Sequence, residues 1–298
     1  PGEFRDEYMM SSFAVADGVA AVLCGHLFGL DAVSGEILWQ GDEQQTRGTH
    51  SSPVVWTTTD AAGAGRTYFI VNVSGKDTIC VEPRSGREVW RVESHANLST
   101  PVVVGNRLLT YGDSRQKGLR CFEISPSGAR ELWAFQGTAD KGSSPVVVGQ
   151  QVFVQGERRL ACVDLETGRA RWTTTLDLAN PQYTSLIAAD GKVLYALDGL
   201  LMFAAEPRRY TPLIEGRFNK QGLLASEAAH RKMLGLDELE QQPGGLEKAL
   251  RLYDEHIGRS GPLVCATPAL ADGRLYIRTA RSITCYDLRA APQAAAAE

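Results

Sequence analysis

One stretch, R-L-A-C-V-D-L-E-T-G-R-A-R-W at residues 159–172, recurs along most of this 298-residue chain, and the recurrence constrains the fold more than any other feature. Its counterparts are L-F-G-L-D-A-V-S-G-E-I-L-W at 27–39, T-I-C-V-E-P-R-S-G-R-E-V-W at 78–90 and L-R-C-F-E-I-S-P-S-G-A-R-E-L-W at 119–133. An alternating apolar run, an acid, a short loop ending in Gly and a second run ending in Trp spell a β-hairpin. Gly35, Gly86, Gly128 and Gly168 supply the positive φ that closes a short loop. Asp31, Asp164 and their Glu counterparts accept N–H groups in the turn. A Trp follows on the second strand each time: Trp39, Trp90, Trp133 and Trp172. A ring of that size at one position per repeat predicts a largely buried side chain packed near the following unit. Trp56 lies outside this slot, and its burial follows no repeat rule.

The other half of the repeat precedes the hairpin. S-S-P-V-V at 51–55, S-T-P-V-V-V at 99–104 and S-S-P-V-V-V at 143–148 each open a strand, with Pro where no ladder donor is lost. Four short strands in roughly 40–50 residues, closed by a Trp, make a β-propeller blade. Six repeats are legible, at about 11–41, 50–93, 98–136, 142–175, 183–215 and 265–290. The fifth lacks the acid-to-Gly-to-Trp signature, and the sixth ends after three strands. Residues 1–10 offer a lone strand that would close a six-bladed ring by pairing into the last blade. The rival is a piece of a longer, typically eight-bladed propeller; the chain begins Pro1-Gly2 and reads as a processed form or a fragment.

The S-S-P-V-V, L-x-C/A-x-D-x-x-x-G and G-x-x-x-W signatures resemble the pyrroloquinoline-quinone-like (PQQ-like) propeller repeat, over nearly all of the chain outside about 206–262. The resemblance implies an all-β propeller of four-stranded antiparallel blades, each Trp docked on the next blade. Quinone-dependent dehydrogenases of this family carry a vicinal Cys-Cys pair and a calcium-bound quinone. This chain has no Cys-Cys dipeptide, and the calcium ligands find no counterpart in it. The expectation is therefore the branch without quinone: no cofactor, no metal and no catalytic residues. Another branch assists outer-membrane protein assembly, which implies a protein-binding or scaffolding role and a periplasmic or extracellular setting. No signal peptide or lipidated Cys is legible at the start of this chain.

Composition narrows the classes further. A net charge of −4 supplies no basic footprint for nucleic acid. No apolar run approaches the ~20 residues of a membrane span. Cys80, Cys121, Cys162 and Cys285 share one slot in four repeats, too far apart to bridge, and read as small buried residues. A disulfide would have to involve Cys24 or Cys265. The five histidines show no metal-ligand spacing. His50, directly before S-S-P, stands where the first strand meets one end of the channel. His50, Ser51, Ser99, Ser143 and Tyr183 are the candidate contacts for a small ligand or carbohydrate there, although such serines equally cap backbone groups.

Residues 206–262 read as a helical insertion. The stretch 223–234 is Ala-rich, Asp237 with Glu240 forms a capping-box-like start, and Leu246, Leu250, Tyr253 and Ile257 recur on one helix face. That face is the candidate docking surface for a protein partner or a second copy of the chain; the alternative is that it shields a strand edge. Arg208, Arg209, Arg217 and Lys220, with Asp237, Glu238 and Glu240, supply charges that can steer such a contact. Residues 290–298 form an Ala-rich tail with little to bury.

Overall fold

The computed structural model describes residues 11–59, 63–96, 98–176, 183–197, 199–258, 267–279 and 282–289. The lone strand and the tail expected at 1–10 and 290–298 lie outside these residues, as does Cys265. The chain groups into two compact units, one of residues 1–188 with 205–210, the other of residues 189–204 with 211–298.

The first unit carries four sheets of identical plan, each a run of sequential antiparallel strands. Blade one holds β1 (Ala14–Ala16), β2 (Val19–Cys24), β3 (His26–Asp31) and β4 (Ile37–Gln40). Blade two holds β5 (Val54–Thr59), β6 (Gly65–Val73), β7 (Asp77–Val81) and β8 (Glu88–Glu93). Blade three holds β9 (Val102–Val104), β10 (Arg107–Tyr111), β11 (Leu119–Ser125) and β12 (Gly128–Phe135). Blade four holds β13 (Val146–Val148), β14 (Gln151–Gly156), β15 (Arg159–Asp164) and β16 (Ala170–Thr175). The two middle strands of each blade carry the buried residues, among them Phe69, Ile79, Leu109, Phe153 and Val163, and neighbouring blades share apolar clusters.

A β-bulge sits at one fixed place in each blade. Gly29, Cys80, Cys121 and Cys162 face Trp39, Trp90, Trp133 and Trp172 across the hairpin, and the register slips by one immediately afterwards. The extra residue on the outer strand re-aims the ring out of its own sheet. Each indole Nε1–H then donates to a carbonyl of the succeeding turn: Trp39 to Pro83 at 2.7 Å, Trp90 to Ser125 at 3.0 Å, Trp133 to Leu165 at 3.0 Å and Trp172 to Glu206 at 2.9 Å. Two of the four repeat glycines serve this contact as well as the turn. Gly86 and Gly168 take left-handed φ, and a β-carbon on either would collide with the ring of Trp39 or Trp133.

Burial of these rings is less uniform than the repeat predicts. Trp90 is buried at 8% exposure, whereas Trp39, Trp133 and Trp172 are half-buried. Trp56, which the repeat left unplaced, is the deepest of the five at 1%, stacked on Tyr68. The cysteine slot is buried in Cys80, Cys121 and Cys162, where burial pushes the thiols of Cys121 and Cys162 up to about 12. Cys285 departs from the expectation and is exposed. Cys80, Cys121, Cys162 and Cys285 are free thiols.

β17 (Ile187–Ala189) takes the chain out of the first unit. In the second unit, β18 (Lys192–Leu197), β19 (Gly199–Ala204), β20 (Pro212–Phe218) and β21 (Leu224–Ala225) run antiparallel in order. β20 and β21 lie in the stretch read as a helical insertion, so that reading is corrected: helix begins only at residue 227. The repeat persists here in geometry after its residues have changed. The bulge recurs between Met202 and Phe203, and Ile214 occupies the tryptophan slot opposite Met202.

Three helices follow: α1 (Glu227–Leu234), α2 (Leu236–Glu240) and α3 (Gly245–His256). Ser226 caps α1 through a bond from the Ala229 N–H, and Asp237 falls inside α2 rather than at its cap, which is Gly235. β22 (Ala269–Ala271), β23 (Arg274–Arg278) and β24 (Ile283–Asp287) make a final three-stranded sheet. Tyr286 joins it to the preceding sheet, its ring 5.5 Å from Phe218 and its hydroxyl donating to the Gly222 carbonyl at 2.7 Å.

Two predictions follow from the blade geometry. Trp133→Phe keeps a ring but loses the bond to Leu165, and should cost about 0.5–1.5 kcal/mol in denaturant titration. Trp133→Ala should cost about 3–5 kcal/mol, and equal costs for the two would remove the hydrogen bond from the account. The second concerns Asp164, whose carboxyl the Arg171 guanidinium and Thr167 hold down at about 2. Its folded value lies below its unfolded one, so its stabilisation is full above the ordinary carboxylate range and is lost as pH falls toward 2. Asp164→Asn should therefore flatten the fall in stability between roughly pH 5 and pH 2. An unchanged acid slope would contradict the assignment.

Candidate functional site

The predicted ligand-contact residues, His50, Ser51, Ser99, Ser143 and Tyr183, all belong to the lead-ins to the blades' first strands, in the first unit. The first strands of successive blades lie side by side there, β1 by β5 and β5 by β9. The two serines of each S-S-P motif divide the work. The second residue of the motif forms a relay: the Ser12 N–H donates to Ser52 Oγ (2.9 Å), Ser52 N–H to Thr100 Oγ1 (3.1 Å), Thr100 N–H to Ser144 Oγ (3.0 Å) and Ser144 N–H to Ser185 Oγ (3.0 Å). Each hydroxyl accepts from the blade before it, so one chain of bonds links five consecutive lead-ins. After Ser52, Thr100 and Ser144 comes a Pro, which lacks an N–H of its own and leaves this donor as the last before the strand.

The first serines, the ones singled out from sequence, are more deeply placed. Ser51, Ser99 and Ser143 are all buried. Ser99 Oγ donates to the Tyr111 carbonyl at 2.6 Å. The hydroxyls of Ser51 and Ser143 have no hydrogen-bond partner among the described residues.

A second tier of buried polar groups lies on the next strand. Asn72 Nδ2 donates to the Ser99 carbonyl at 2.7 Å, and Gln155 Nε2 to the Thr184 carbonyl at 2.9 Å. These amides occupy matching positions in β6 and β14, and each reaches the following blade's lead-in. Thr78 donates to Asn72 Oδ1 at 2.7 Å, which fixes the orientation of that amide. Tyr111 bonds Thr138 and the Gln155 carbonyl, each at 2.8 Å. Asp140 is the node of the fourth lead-in. Its Oδ1 accepts from the N–H groups of Gly142 (2.9 Å), Ser143 (2.7 Å) and Tyr183 (3.1 Å).

The structure brings His50 and Tyr183 together. Their rings stack with centroids 6.4 Å apart, and Thr49 Oγ1 lies 2.7 Å from His50 Nδ1. Burial depresses the His50 imidazole below its ordinary value. Tyr183 adopts a left-handed φ of 62°, held by the Asp140 bond, and its ring covers Gly142 so closely that a β-carbon there would collide with it. Gly142 stands where His50 and Leu98 stand in the earlier blades, and the missing side chain makes room for the tyrosine.

Sequence reasoning selected the first serine of each motif and overlooked the second, together with Asn72, Gln155 and Asp140. Asp140 had a readable signal, an Asx-type D-x-G-S run immediately before S-S-P. Beside this region lies a cleft of about 690 Å3, lined by Leu23, Thr49, Ser51, Asn72, Val73 and Leu98 among others. Among the described residues, no group of three His, Cys, Asp or Glu side chains is placed to hold a metal ion.

Four-stranded antiparallel blades joined by indole-to-turn hydrogen bonds define the chain as a PQQ-like β-propeller protein. A family model described as outer membrane protein assembly factor BamB matches residues 23–196, more than half of the chain, and the chain belongs to that family. No curated protein matches it by sequence. Among solved structures, BamB from Moraxella catarrhalis superimposes with a TM-score of 0.56 at 14% identity, over 93% of this chain and 69% of that one. The quinohemoprotein alcohol dehydrogenase from Comamonas testosteroni gives 0.54 at 13% identity, over 90% of this chain and 51% of that one. The quinohemoprotein alcohol dehydrogenase ADHIIG from Pseudomonas putida HK5 gives 0.52 at 12% identity, over 90% and 50%. This chain thus spans about half the length of either dehydrogenase.

The relay generates a prediction of its own. Thr100→Val removes the acceptor for the Ser52 N–H while keeping the side-chain shape, and should cost about 1–3 kcal/mol in urea unfolding. Thr100→Ser should recover most of that. A valine variant as stable as the parent would show that the relay contributes nothing.

Proposed function

We propose that this chain is a non-catalytic propeller that serves as a protein-binding or scaffolding module. The observation that carries the reading is the pair Leu246 and Leu250 on α3, each 61% exposed on a helix that the blade repeat does not require. The predicted face of four divides in two. Ile257 is buried, and Tyr253 is half-buried with its hydroxyl donating to Glu227 at 2.6 Å, while the two leucines remain outside. Adjacent exposed leucines on a rigid helix suit helix-face docking of a protein.

Three of the charges proposed to steer the contact, Arg217, Asp237 and Glu240, have closer duties. Arg217 pairs with Glu227 at 3.2 Å, and Arg231 binds both Asp237 (2.7 Å) and Glu240 (2.8 Å), tying α1 to α2. Apolar contact therefore carries this reading, with electrostatics secondary. The description of the matched family, an outer-membrane protein assembly factor, supports a protein partner. The polar groups at the blade lead-ins support it too, since most are engaged in joining blades. A small-ligand or carbohydrate site at His50 and Tyr183 is the second reading, favoured by their stacked rings.

The test compares the parent protein with Leu246→Asp/Leu250→Asp in cross-linking, pull-down and sedimentation. The variant should melt as the parent does and lose a protein partner or a self-association that the parent shows. Identical partners and identical sedimentation would defeat the docking reading. Turnover of alcohol by the parent protein after incubation with pyrroloquinoline quinone and Ca2+ would defeat the non-catalytic one.

A further inference from the structure

The cleft of about 690 Å3 in the first unit is lined by residues from three successive blades: Leu23 from β2, Gln44, Arg47, Gly48, Thr49 and Ser51 from the segment between β4 and β5, Asn72 and Val73 from the end of β6 with Ser74 and Gly75 of the turn after it, and Leu98. Its volume falls within the range of small-molecule sites. Two features make it a prepared site rather than a packing gap.

The first feature is a set of uncommitted donors. Ser51 is 1% exposed, lines the cleft, and has a buried hydroxyl without a partner among the described residues. An unmet buried hydroxyl is unfavourable, and an occupant that accepts its proton would relieve that cost. Asn72 has two N–H groups on Nδ2, and the bond to the Ser99 carbonyl engages one of them. Gln44 and Thr49 add further polar groups to the lining.

The second feature is charge. Among the described residues of the lining, Arg47 is the one that is charged, and none is Asp or Glu. Arg47 is exposed and has no ion pair among the described residues. Its backbone is anchored separately, the Arg47 carbonyl accepting the Ser74 N–H at 2.7 Å. Leu23, Val73 and Leu98 supply apolar wall.

A lone guanidinium, a buried hydroxyl donor and an apolar wall together recognise a carboxylate on a hydrocarbon stem. Arginine binds carboxylate in a two-pronged bond, and an acid-free lining sets no repulsion against it. We propose that this cleft binds a small aliphatic monocarboxylate, with the carboxylate toward Arg47 and Ser51 and the stem along Leu23, Val73 and Leu98. This goes beyond the scaffolding reading and does not depend on it, since the cleft shares no residue with α3.

The experiment is calorimetric titration of the full chain with sodium octanoate, 1-octanol and octylamine. Octanoate should bind more tightly than octanol by about tenfold, and octylamine should not bind. Arg47→Ala should weaken octanoate by about tenfold without changing the melting temperature, and Arg47→Lys should recover part of the loss. Ser51→Ala should weaken it as well. Absence of octanoate binding, octanol binding as tightly as octanoate, or an Arg47→Ala affinity equal to that of the parent would each overturn the proposal, leaving water as the occupant. The scaffolding test on Leu246 and Leu250 would be unaffected by any of these results.

Discussion

The first unit rests on one directed interaction, the indole N–H of each blade reaching the turn of the next. A single blade is a twisted four-stranded sheet with two faces to cover, and stacking covers them. Apolar stacking by itself is indifferent to register. The hydrogen bond is directional and fixes where along its neighbour each blade sits. The bulge opposite the tryptophan turns the ring outward, and for Trp39 and Trp133 the turn glycine leaves room for it. Loss of any one of the three would leave the other two without purpose.

A second set of contacts, the hydroxyl relay through Ser52, Thr100, Ser144 and Ser185, fixes the opposite edge of each blade. The tryptophans join the blades at their outer strands, and the relay joins them at the first strands. Two ties at the two edges of a sheet resist both splaying and sliding. Asn72 and Gln155 reinforce the inner edge from the second strand. Most polar side chains near the lead-ins are engaged in this way, which is why the groups left over, Ser51 above all, stand out chemically.

Much of this was legible in the sequence, for a physical reason. A turn glycine, an acid that accepts turn N–H groups and a tryptophan have few substitutes, so each repeat had to keep them. Positions that need only a hydroxyl or an apolar volume vary more freely. Ile214 therefore replaces a tryptophan in the fifth repeat and erased the signature there, although the bulge survives. The helical stretch was legible as helix, but periodicity does not say which residues of an amphipathic face find a neighbour. Tyr253 and Ile257 did and Leu246 and Leu250 did not. The cleft was illegible because its lining comes from three blades and depends on which polar groups the fold leaves unspent.

Both ties run the same way along the chain. In the tryptophan bond and in the relay, the earlier blade holds the donor and the later blade the acceptor. A chain emerging from the ribosome therefore always carries, on its newest finished blade, donors still waiting for the next one. A nascent piece cut at its trailing end keeps donors without their partners, whereas one cut at its leading end keeps acceptors without theirs. Growth of the stack is thus polar in the sense of a filament with unlike ends, and synthesis from the amino terminus adds blades at the end that is waiting.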